Sequence, residues 1–197
     1  MAAGINGVSG MKISFKKVIW AMRAVIYKPL FQKIKMPSYI GKPIYIEGKK
    51  RINIGKRVRI FPGARMEALQ NGKITIEDNV YLGQNIHITS ENSELIIGAG
   101  SSAMANVCIT NIDHNYDSIN IPVLEQGYTT RETIIGKNCF IGHGAVIQAG
   151  VELMDHVIVG ANSVVCRGEY PVNCVIAGAP ARIVKRYDAE SQQWIKV

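Results

Sequence analysis

The residues best suited to chemistry in this sequence are an aspartate and a histidine side by side, Asp113 and His114. They stand in the run Ile112-Asp113-His114-Asn115-Tyr116, where a regular repeat of the chain gives way to a stretch without one. Imidazole titrates near neutral pH, so His114 could take a proton from a hydroxyl group once a neighbouring group fixes its tautomer. The pair indicates general-base chemistry, provided that the surrounding elements position it.

The element that must position His114 is an internal repeat with a period of six residues. A parallel β-helix explains this period, because each face of a triangular coil is then one hexapeptide and three hexapeptides complete a turn. Neither the period of an α-helix nor two-residue alternation explains it, and a sandwich of short strands would not keep such regular spacing. The aliphatic residues that repeat are Ile135, Ile141, Ile147, Leu153, Val159 and Val165.

The same repeat can be followed upstream with interruptions. Ile54, Ile76 and Ile97 each begin a coil, 22 and 21 residues apart, so a few residues must bulge at a corner of each coil. The next coil begins at Ile135, 38 residues after Ile97, and the surplus lies in residues 114–133. We therefore expect about five coils and one long extruded loop, and such loops in compact repeat domains are usually functional.

A segment near the start of the chain has helical periodicity. Between Ser14 and Lys35, apolar residues recur at helical spacing with basic residues interspersed, and Pro29 is placed to break the helix. Uncharged runs of about five residues are too short to span a bilayer, but a basic amphipathic helix could lie in its interface. A helix packed over one end of the β-helix is the alternative, because repeat arrays need caps.

Charge is distributed unevenly along the chain. Residues 1–65 hold fifteen Lys/Arg and one acid, a net charge of +14, whereas residues 66–197 hold eight Lys/Arg and fourteen acids, a net charge of −6. Together they give the net charge of +8. A basic end favours an anionic partner, and we expect residues 11–36 to contact an anionic membrane. No nucleic-acid motif is recognisable, so we expect no nucleic-acid partner.

We expect one folded domain preceded by an N-terminal helical segment. Residues 1–36 are assigned to a flexible start and the basic amphipathic helix, residues 37–187 to the β-helix, and residues 188–197 to a tail. Residues 181–194 are expected to form a short C-terminal cap with some helix. The opening of the chain lacks the pattern of a signal peptide, so we expect a cytoplasmic protein, with contact at the inner face of the membrane.

The cysteines show neither CxxC pairing nor the spacing of zinc ligands. This predicts small buried residues in a reducing compartment. The four are Cys108, Cys139, Cys166 and Cys174.

Four motifs within residues 40–187 carry a resemblance to a known family. They are Ala105-Asn-Val with His114 eight residues after Asn106, Ile135-Gly-Lys-Asn-Cys-Phe-Ile-Gly, Val159-Gly-Ala-Asn-Ser-Val-Val, and Val175-Ile-Ala-Gly-Ala-Pro-Ala-Arg. The sequence resembles the hexapeptide-repeat acyltransferases, in the branch of galactoside and maltose acetyltransferases and of bacterial surface-polysaccharide O-acetyltransferases. The resemblance implies an all-β fold, a left-handed parallel β-helix, that works as a homotrimer. It also implies acetyl-CoA as acyl donor, bound in a groove between subunits, and no metal.

The resemblance also implies roles for individual residues. His114 matches the general base that activates the acceptor hydroxyl, a carbohydrate hydroxyl in this branch. The residues assigned to the acceptor side are Asn106, Asp113, Tyr116 and Phe140, and Phe140 stands where many relatives have Trp. The residues assigned to the CoA side are His143, Gly160, Ala161, Arg167 and Arg182, of which the two arginines suit phosphate groups.

Other functions compete with a polysaccharide O-acetyltransferase. An acetyltransferase that detoxifies free sugars or xenobiotics would carry the same motifs. A zinc enzyme of the gamma carbonic anhydrase type would need a further histidine five positions after His143, where this chain has Gln148. A basic segment trimerised by the β-helix to bind nucleic acid would show aromatic stacking platforms, whereas the aromatic residues here sit at helical spacing.

Overall fold

The computed structural model describes residues 15–197 as one α-helix followed by short β-strands. Residues 1–14, the greater part of the expected flexible start, lie outside the described residues. The helix α1 spans Phe15–Tyr27, and short 3₁₀ turns occupy Lys49–Arg51 and Val123–Glu125. The strands are β1 (Lys33–Ile34), β2 (Tyr39–Ile40), β3 (Tyr45–Glu47), β4 (Ile52–Ile54), β5 (Arg59–Ile60), β6 (Arg65–Leu69), β7 (Lys73–Ile76), β8 (Tyr81–Leu82), β9 (His87–Glu91), β10 (Glu94–Ile97), β11 (Ser102–Ala103), β12 (Cys108–Thr110), β13 (Ile112–His114), β14 (Tyr128–Thr130), β15 (Thr133–Ile135), β16 (Phe140–Ile141), β17 (Val146–Ile147), β18 (Val151–Leu153), β19 (Ile158–Val159), β20 (Val164–Val165), β21 (Gly168–Tyr170), β22 (Cys174–Gly178), β23 (Ala181–Asp188) and β24 (Gln193–Lys196).

Three parallel sheets form the faces of a β-helix, as the six-residue period predicts. Face A contains β1, β4, β7, β10, β15, β18 and β21; face B contains β2, β5, β8, β11, β16, β19 and β22; face C contains β3, β6, β9, β12, β17 and β20. The chain runs from A to B to C and back to A in every coil. We name the edge between faces B and C the B–C corner and the edge between faces C and A the C–A corner.

The predicted coil starts are confirmed by the register of face A. Ile54 pairs with Ile76, Ile76 with Ile97, and Ile97 with Ile135. All four side chains are buried, because each points into the interior and covers the equivalent residue of the next coil. The extra residues of the longer coils lie at the C–A corner, in segments such as 70–72.

Face A has seven strands, so the expectation of about five coils was too low. The coil formed by β1, β2 and β3 was missed although Ile34, Ile40 and Ile46 keep the six-residue spacing, because residues 1–36 were assigned to the flexible start and the helix. The prediction of some helix in the C-terminal cap was wrong. Residues 181–194 form no helix; β23 pairs antiparallel with β22, and β24 with β23, to extend face B as a hairpin.

The N-terminal helix ends at Tyr27, two residues before Pro29, and is shorter than the predicted span to Lys35. Its inner side closes the first coil, where Ala24 is fully buried and Tyr27 stacks on Phe31 with 6.0 Å between ring centroids. The predicted cap is therefore confirmed. Of residues 15–197, none belongs to a helix that is both long and apolar enough to cross a bilayer.

The cysteine prediction holds for two of the four residues. Cys139 and Cys174 are buried, whereas Cys108 and Cys166 are partly exposed. Burial raises the pKa of the Cys139 thiol to about 11, which keeps it protonated and unreactive near neutral pH.

Candidate active site

His114 lies on a hairpin that leaves the β-helix at the C–A corner. Strands β13 and β14 of this hairpin are antiparallel and pair with each other alone, and His114 is opposite Tyr128. The predicted bounds of the extruded loop were residues 114–133; the hairpin leaves the β-helix already at Ile112, and Thr133 belongs to β15 of face A. The segment is ordered by a two-stranded sheet of its own. His114 is exposed to solvent.

The ring of Tyr128 packs against the ring of His114. The two centroids are 4.6 Å apart and the planes meet at 63°, an edge-to-face contact. The sequence could not identify Tyr128, because the loop contains no repeat from which the pairing register could be read. This contact limits the rotation of the imidazole and makes Tyr128 a positioning residue.

Two amide side chains hold the rest of the hairpin loop. The Thr129 hydroxyl donates to Asn115 Oδ1 at 2.6 Å, and Asn115 Nδ2 donates to the carbonyl of Gln126 at 3.2 Å. Gln126 Nε2 in turn donates to the carbonyls of Ser118 and Ile121, at 2.8 and 2.7 Å. The residue that follows His114 is thus fixed by the far side of the loop.

The foot of the hairpin is fixed by Asn111, a fully buried residue. Its Nδ2 donates to Ser93 Oγ at 2.8 Å, and its Oδ1 accepts the backbone N–H of Glu91 at 2.8 Å. Beside it, the Glu91 side chain is buried, and Oε2 has no hydrogen-bond partner within residues 15–197. An unpaired buried carboxylate oxygen is costly, so Glu91 Oε2 needs a hydrogen-bond partner, such as ordered water, that residues 15–197 do not supply.

A polar cleft of about 240 Å³ opens beside His114. Asp113 and Tyr116 line it, as expected for acceptor-side residues, together with Arg131, which the sequence analysis missed. Arg131 Nη1 lies 3.9 Å from Asp113 Oδ2 in a partly exposed ion pair. The cleft offers a carboxylate, a guanidinium and a phenol within reach of the imidazole, groups that suit the hydroxyls of a sugar.

A second group of predicted residues lies at the B–C corner. Asn106 has a left-handed backbone with φ of 60°, and its Nδ2 is 3.3 Å from His143 Nε2. Asn85, one coil earlier, donates through Nδ2 to Asn106 Oδ1 at 3.1 Å. The structure therefore brings Asn106 and His143 together in a ladder of polar side chains that also includes Asn85, which the sequence analysis missed.

The remaining CoA-side residues of the B–C corner follow in the next coils. A Cβ placed on Gly160 would lie 3.0 Å from the Cβ of Ala177, and Ala177 pairs with Arg182 across β22 and β23. Ala161 is exposed beside Gly160. This corner therefore presents backbone groups, a small exposed surface and one arginine, a set that can accept the extended arm and a phosphate of CoA.

Arg167 does not join this group. It lies at the C–A corner, where its side chain and that of Arg131 both flank Gly150; a Cβ placed on Gly150 would be 3.1 Å from each. Phe140 also stands apart, on the outer side of face B, where it is 43% exposed. Apart from Phe140, the predicted residues thus fall into two groups, at opposite edges of face C.

Face C separates these groups within one chain. Five residues run from Asn106 to Asn111, which corresponds to about 16 Å of extended backbone. His114 then stands on a hairpin beyond that edge. A site that uses both corners is most readily assembled when the C–A corner of one subunit faces the B–C corner of another.

The outer surface of face C carries a polar cluster that no motif indicated. Arg65 binds Glu67 through two hydrogen bonds, from Nε at 2.9 Å and Nη2 at 2.8 Å, and His87 Nε2 lies 3.2 Å from Glu67 Oε2. The hydrogen bonds from Arg65 lower the pKa of the Glu67 carboxyl below its usual value, and His87 adds to the effect, while burial opposes it. Glu67 is therefore a carboxylate near neutral pH. Its row continues through Thr89 to Thr110, towards the hairpin foot.

We predict that Tyr128→Ala lowers kcat by roughly tenfold to 100-fold, because a loosely held imidazole is less often oriented to take the acceptor proton. KM for the acyl donor should stay unchanged, since Tyr128 lies away from the B–C corner. Tyr128→Phe keeps the ring contact and should restore most of kcat. Equal losses in both variants would contradict a positioning role for the ring.

Comparison with known proteins identifies the family of the chain. The family described as bacterial transferase hexapeptide (six repeats) matches residues 132–167. A protein of Escherichia coli K12 named for O-acetyl transfer in lipopolysaccharide biosynthesis, WbbJ, is 36% identical over 163 residues, which cover 78% of this chain and 81% of WbbJ. A Methanocaldococcus jannaschii protein named for carbonic anhydrase activity is 29% identical over 162 residues, which cover 73% of this chain and 89% of that protein.

The fold is shared with a solved N-acyltransferase, AntD from Bacillus cereus, crystallised with dTDP and 3-hydroxybutyryl-CoA. Its TM-score is 0.72 at 19% identity, covering 86% of this chain and 90% of AntD. At this identity the likeness concerns the fold alone. Within residues 15–197, no three His, Cys, Asp or Glu side chains are grouped so as to hold a metal ion.

Proposed function

The chain belongs to the hexapeptide-repeat acyltransferase family, and from this premise we propose that it is an O-acetyltransferase of surface-polysaccharide biosynthesis. It moves an acetyl group from acetyl-CoA to a sugar hydroxyl. The observation that carries the proposal is His114, exposed on an ordered hairpin beside a polar cleft, in a β-helix whose relative WbbJ is 36% identical.

The reaction follows from the exposed imidazole. His114 takes the proton of the acceptor hydroxyl while the hydroxyl oxygen attacks the thioester carbonyl, which gives a tetrahedral intermediate. When the intermediate collapses, the carbon–sulfur bond breaks, the ester remains on the sugar, and the proton passes from the imidazolium to the CoA sulfur. Tyr128 and the Asn115 network hold the imidazole in place throughout.

We place the active site between two subunits of a homotrimer. His143, Gly160, Ala161 and Arg182 of one subunit would bind the CoA arm, and the hairpin of its neighbour would supply His114. Asn106, assigned to the acceptor, would lie beside His143 on the same corner. The separation of these two groups by face C supports this arrangement. Arg167, beside Arg131, would then meet CoA phosphates from the hairpin side.

The acceptor is a carbohydrate. Asp113 and Tyr116 in the cleft, and the row from Glu67 to Thr110 on face C, present the donors and acceptors that sugar hydroxyls need. Phe140, on face B, would serve as an apolar platform on that side of the groove. We place the reaction in the cytoplasm at the inner face of the membrane, where the basic residues of the N-terminal segment would meet anionic lipid.

The experiment that tests this function follows the acetyl group. Protein, acetyl-CoA labelled in the acetyl group and the deacetylated surface polysaccharide of the source cells are combined, and label in the polymer is measured before and after mild alkali. Alkali-labile label is expected, because an ester forms. Alkali-stable label would indicate amide formation, and transfer to free sugars but not to polymer would favour detoxification.

A further inference from the structure

The N-terminal helix has two apolar sides, of which only one is used within the described chain. On the inner side, Trp20 packs against Tyr39 and Phe61, with ring centroids 5.7 and 5.4 Å apart, and Ala24 is fully buried. These contacts close the end of the β-helix. The cap therefore needs only this side of α1.

The opposite side of α1 is also apolar and faces solvent. At 100° per residue, the exposed apolar residues centre about 180° from Ala24. Their exposed fractions run from 41% for Ile19 to 78% for Phe15, so no part of residues 15–197 covers them. A helix that is apolar on all sides is normally buried in a core or in lipid. The exposed residues are Phe15, Val18, Ile19, Met22, Val25 and Ile26.

The charges around this side identify the kind of partner. Residues 15–46 contain no aspartate or glutamate, and four exposed lysines in this segment make no ion pair within the part of the chain that the structure describes. Lysine is depleted in protein–protein interfaces, whereas basic flanks beside an apolar stripe are typical of helices that lie on anionic lipid. The four are Lys16, Lys17, Lys28 and Lys33.

A groove between α1 and the first coils adds to this surface. It has a volume of about 370 Å³, and its lining includes the apolar atoms of Ala21, Met36 and Val58. Arg57 and Arg59 stand at its rim; Arg57 Nε donates to Asn79 Oδ1 at 2.5 Å, and Arg59 Nη2 to the carbonyl of Asn79 at 3.2 Å. Two held guanidinium groups beside an apolar groove suit an anionic lipid headgroup.

We infer that the solvent-facing side of α1 is a docking surface for an anionic bilayer. The helix lies in the interface with its outer residues among the acyl chains and Lys16, which borders that side, at the headgroups, while its inner side stays on the β-helix. The helix would then have both roles that the sequence leaves as alternatives, contact with the membrane and closure of one end of the β-helix. This inference rests on the proposed location at the membrane and is independent of the transfer chemistry.

The test compares two triple variants of the full chain in co-sedimentation with vesicles of phosphatidylcholine and phosphatidylglycerol. Ile19→Ser, Met22→Ser and Ile26→Ser together should weaken binding by roughly 100-fold to 1,000-fold, because three partly exposed apolar side chains no longer enter lipid. The matched control is Val172→Ser, Ile195→Ser and Val197→Ser, which removes exposed apolar residues at the other end of the chain and should bind normally.

Three outcomes would overturn the inference. The helix variant could bind as tightly as the wild type, or the wild type could ignore anionic vesicles at low salt. Finally, the helix variant could dissociate in size-exclusion chromatography when the wild type does not bind vesicles. This result would identify the exposed side of α1 as a subunit contact. The affinity for CoA, measured by calorimetry, should be equal in the wild type, the helix variant and the control variant. If none of the three proteins binds CoA, the proposed function is contradicted, but the docking surface is not.

Discussion

Replacing His114 with alanine should lower the rate of acetyl transfer by roughly 10² to 10⁴, the usual contribution of a positioned general base. The loss should appear in kcat, because the imidazole acts on the acceptor proton in the transition state and not on the binding of CoA. The fold should be unchanged, since His114 is exposed and its backbone pairing with Tyr128 does not require the imidazole. Initial rates and a melting curve check both statements.

The control for this variant is a matched pair, His114→Asn and His156→Asn. His156 is exposed at a corner with φ of 60°, a backbone conformation that asparagine tolerates, and it lies outside both groups of site residues. His114→Asn should behave as His114→Ala does, whereas His156→Asn should be fully active. Near-native turnover in either His114 variant would contradict its role as the base.

Two inactive variants should regain activity when they share a trimer. His114→Ala removes the base, and Ala161→Trp fills the B–C corner; Ala161 is exposed, so the larger side chain does not have to displace a coil. If each site takes one corner from each of two neighbours, every mixed trimer has one intact site in three, so the tandem-purified protein should show roughly one third of the wild-type rate. Co-expression with two affinity tags, followed by tandem purification and a rate measurement, gives the comparison.

Each parent variant alone should be nearly inactive, which provides the baseline. A mixed trimer no more active than the parents would show that every subunit holds a whole site. That result would contradict the shared site and leave the fold and the role of His114 intact.

Much of the fold could be predicted because the repeat is a direct consequence of the β-helix. An inward position recurs once per hexapeptide, so a buried aliphatic residue must occupy it, and Ile135, Ile141 and Ile147 could be assigned without coordinates. The first coil keeps the same spacing at Ile34, Ile40 and Ile46, but it was not recognised because the residues up to Lys35 also have helical periodicity and were assigned to the helix. The C-terminal hairpin was missed for a different reason, since the repeat ends before it.

The candidate site was only partly predictable, because its contacts cross coils of unequal length. Glu67 and His87 are 20 residues apart, and Arg65 and His87 are 22 apart, so a strict eighteen-residue coil does not place them together. The pairing of His114 with Tyr128 depends on a hairpin register that no periodicity records. His114 itself could be found, because it stands where the repeat stops.

The separation of the site residues into two corners is a finding of the structure. Arg167 and Arg182 were assigned to one CoA-binding group, yet the first stands beside Arg131 and the second opposite Ala177. Arg182 lies just after the turn where the chain reverses from β22 into β23, so it stays at the B–C corner, whereas Arg167 lies between β20 and β21 at the C–A corner. This geometry supports the proposal that the site is shared between subunits.

The most direct measurement of the central claim is the O-acetyl content of the surface polysaccharide of the source cells, determined by proton NMR. Deletion of the gene should remove an acetyl ester signal, the wild-type gene should restore it, and the His114→Ala gene should not. An unchanged acetyl signal after deletion, or full restoration by the His114→Ala gene, would contradict the assignment of this β-helix as a polysaccharide O-acetyltransferase with His114 as its base.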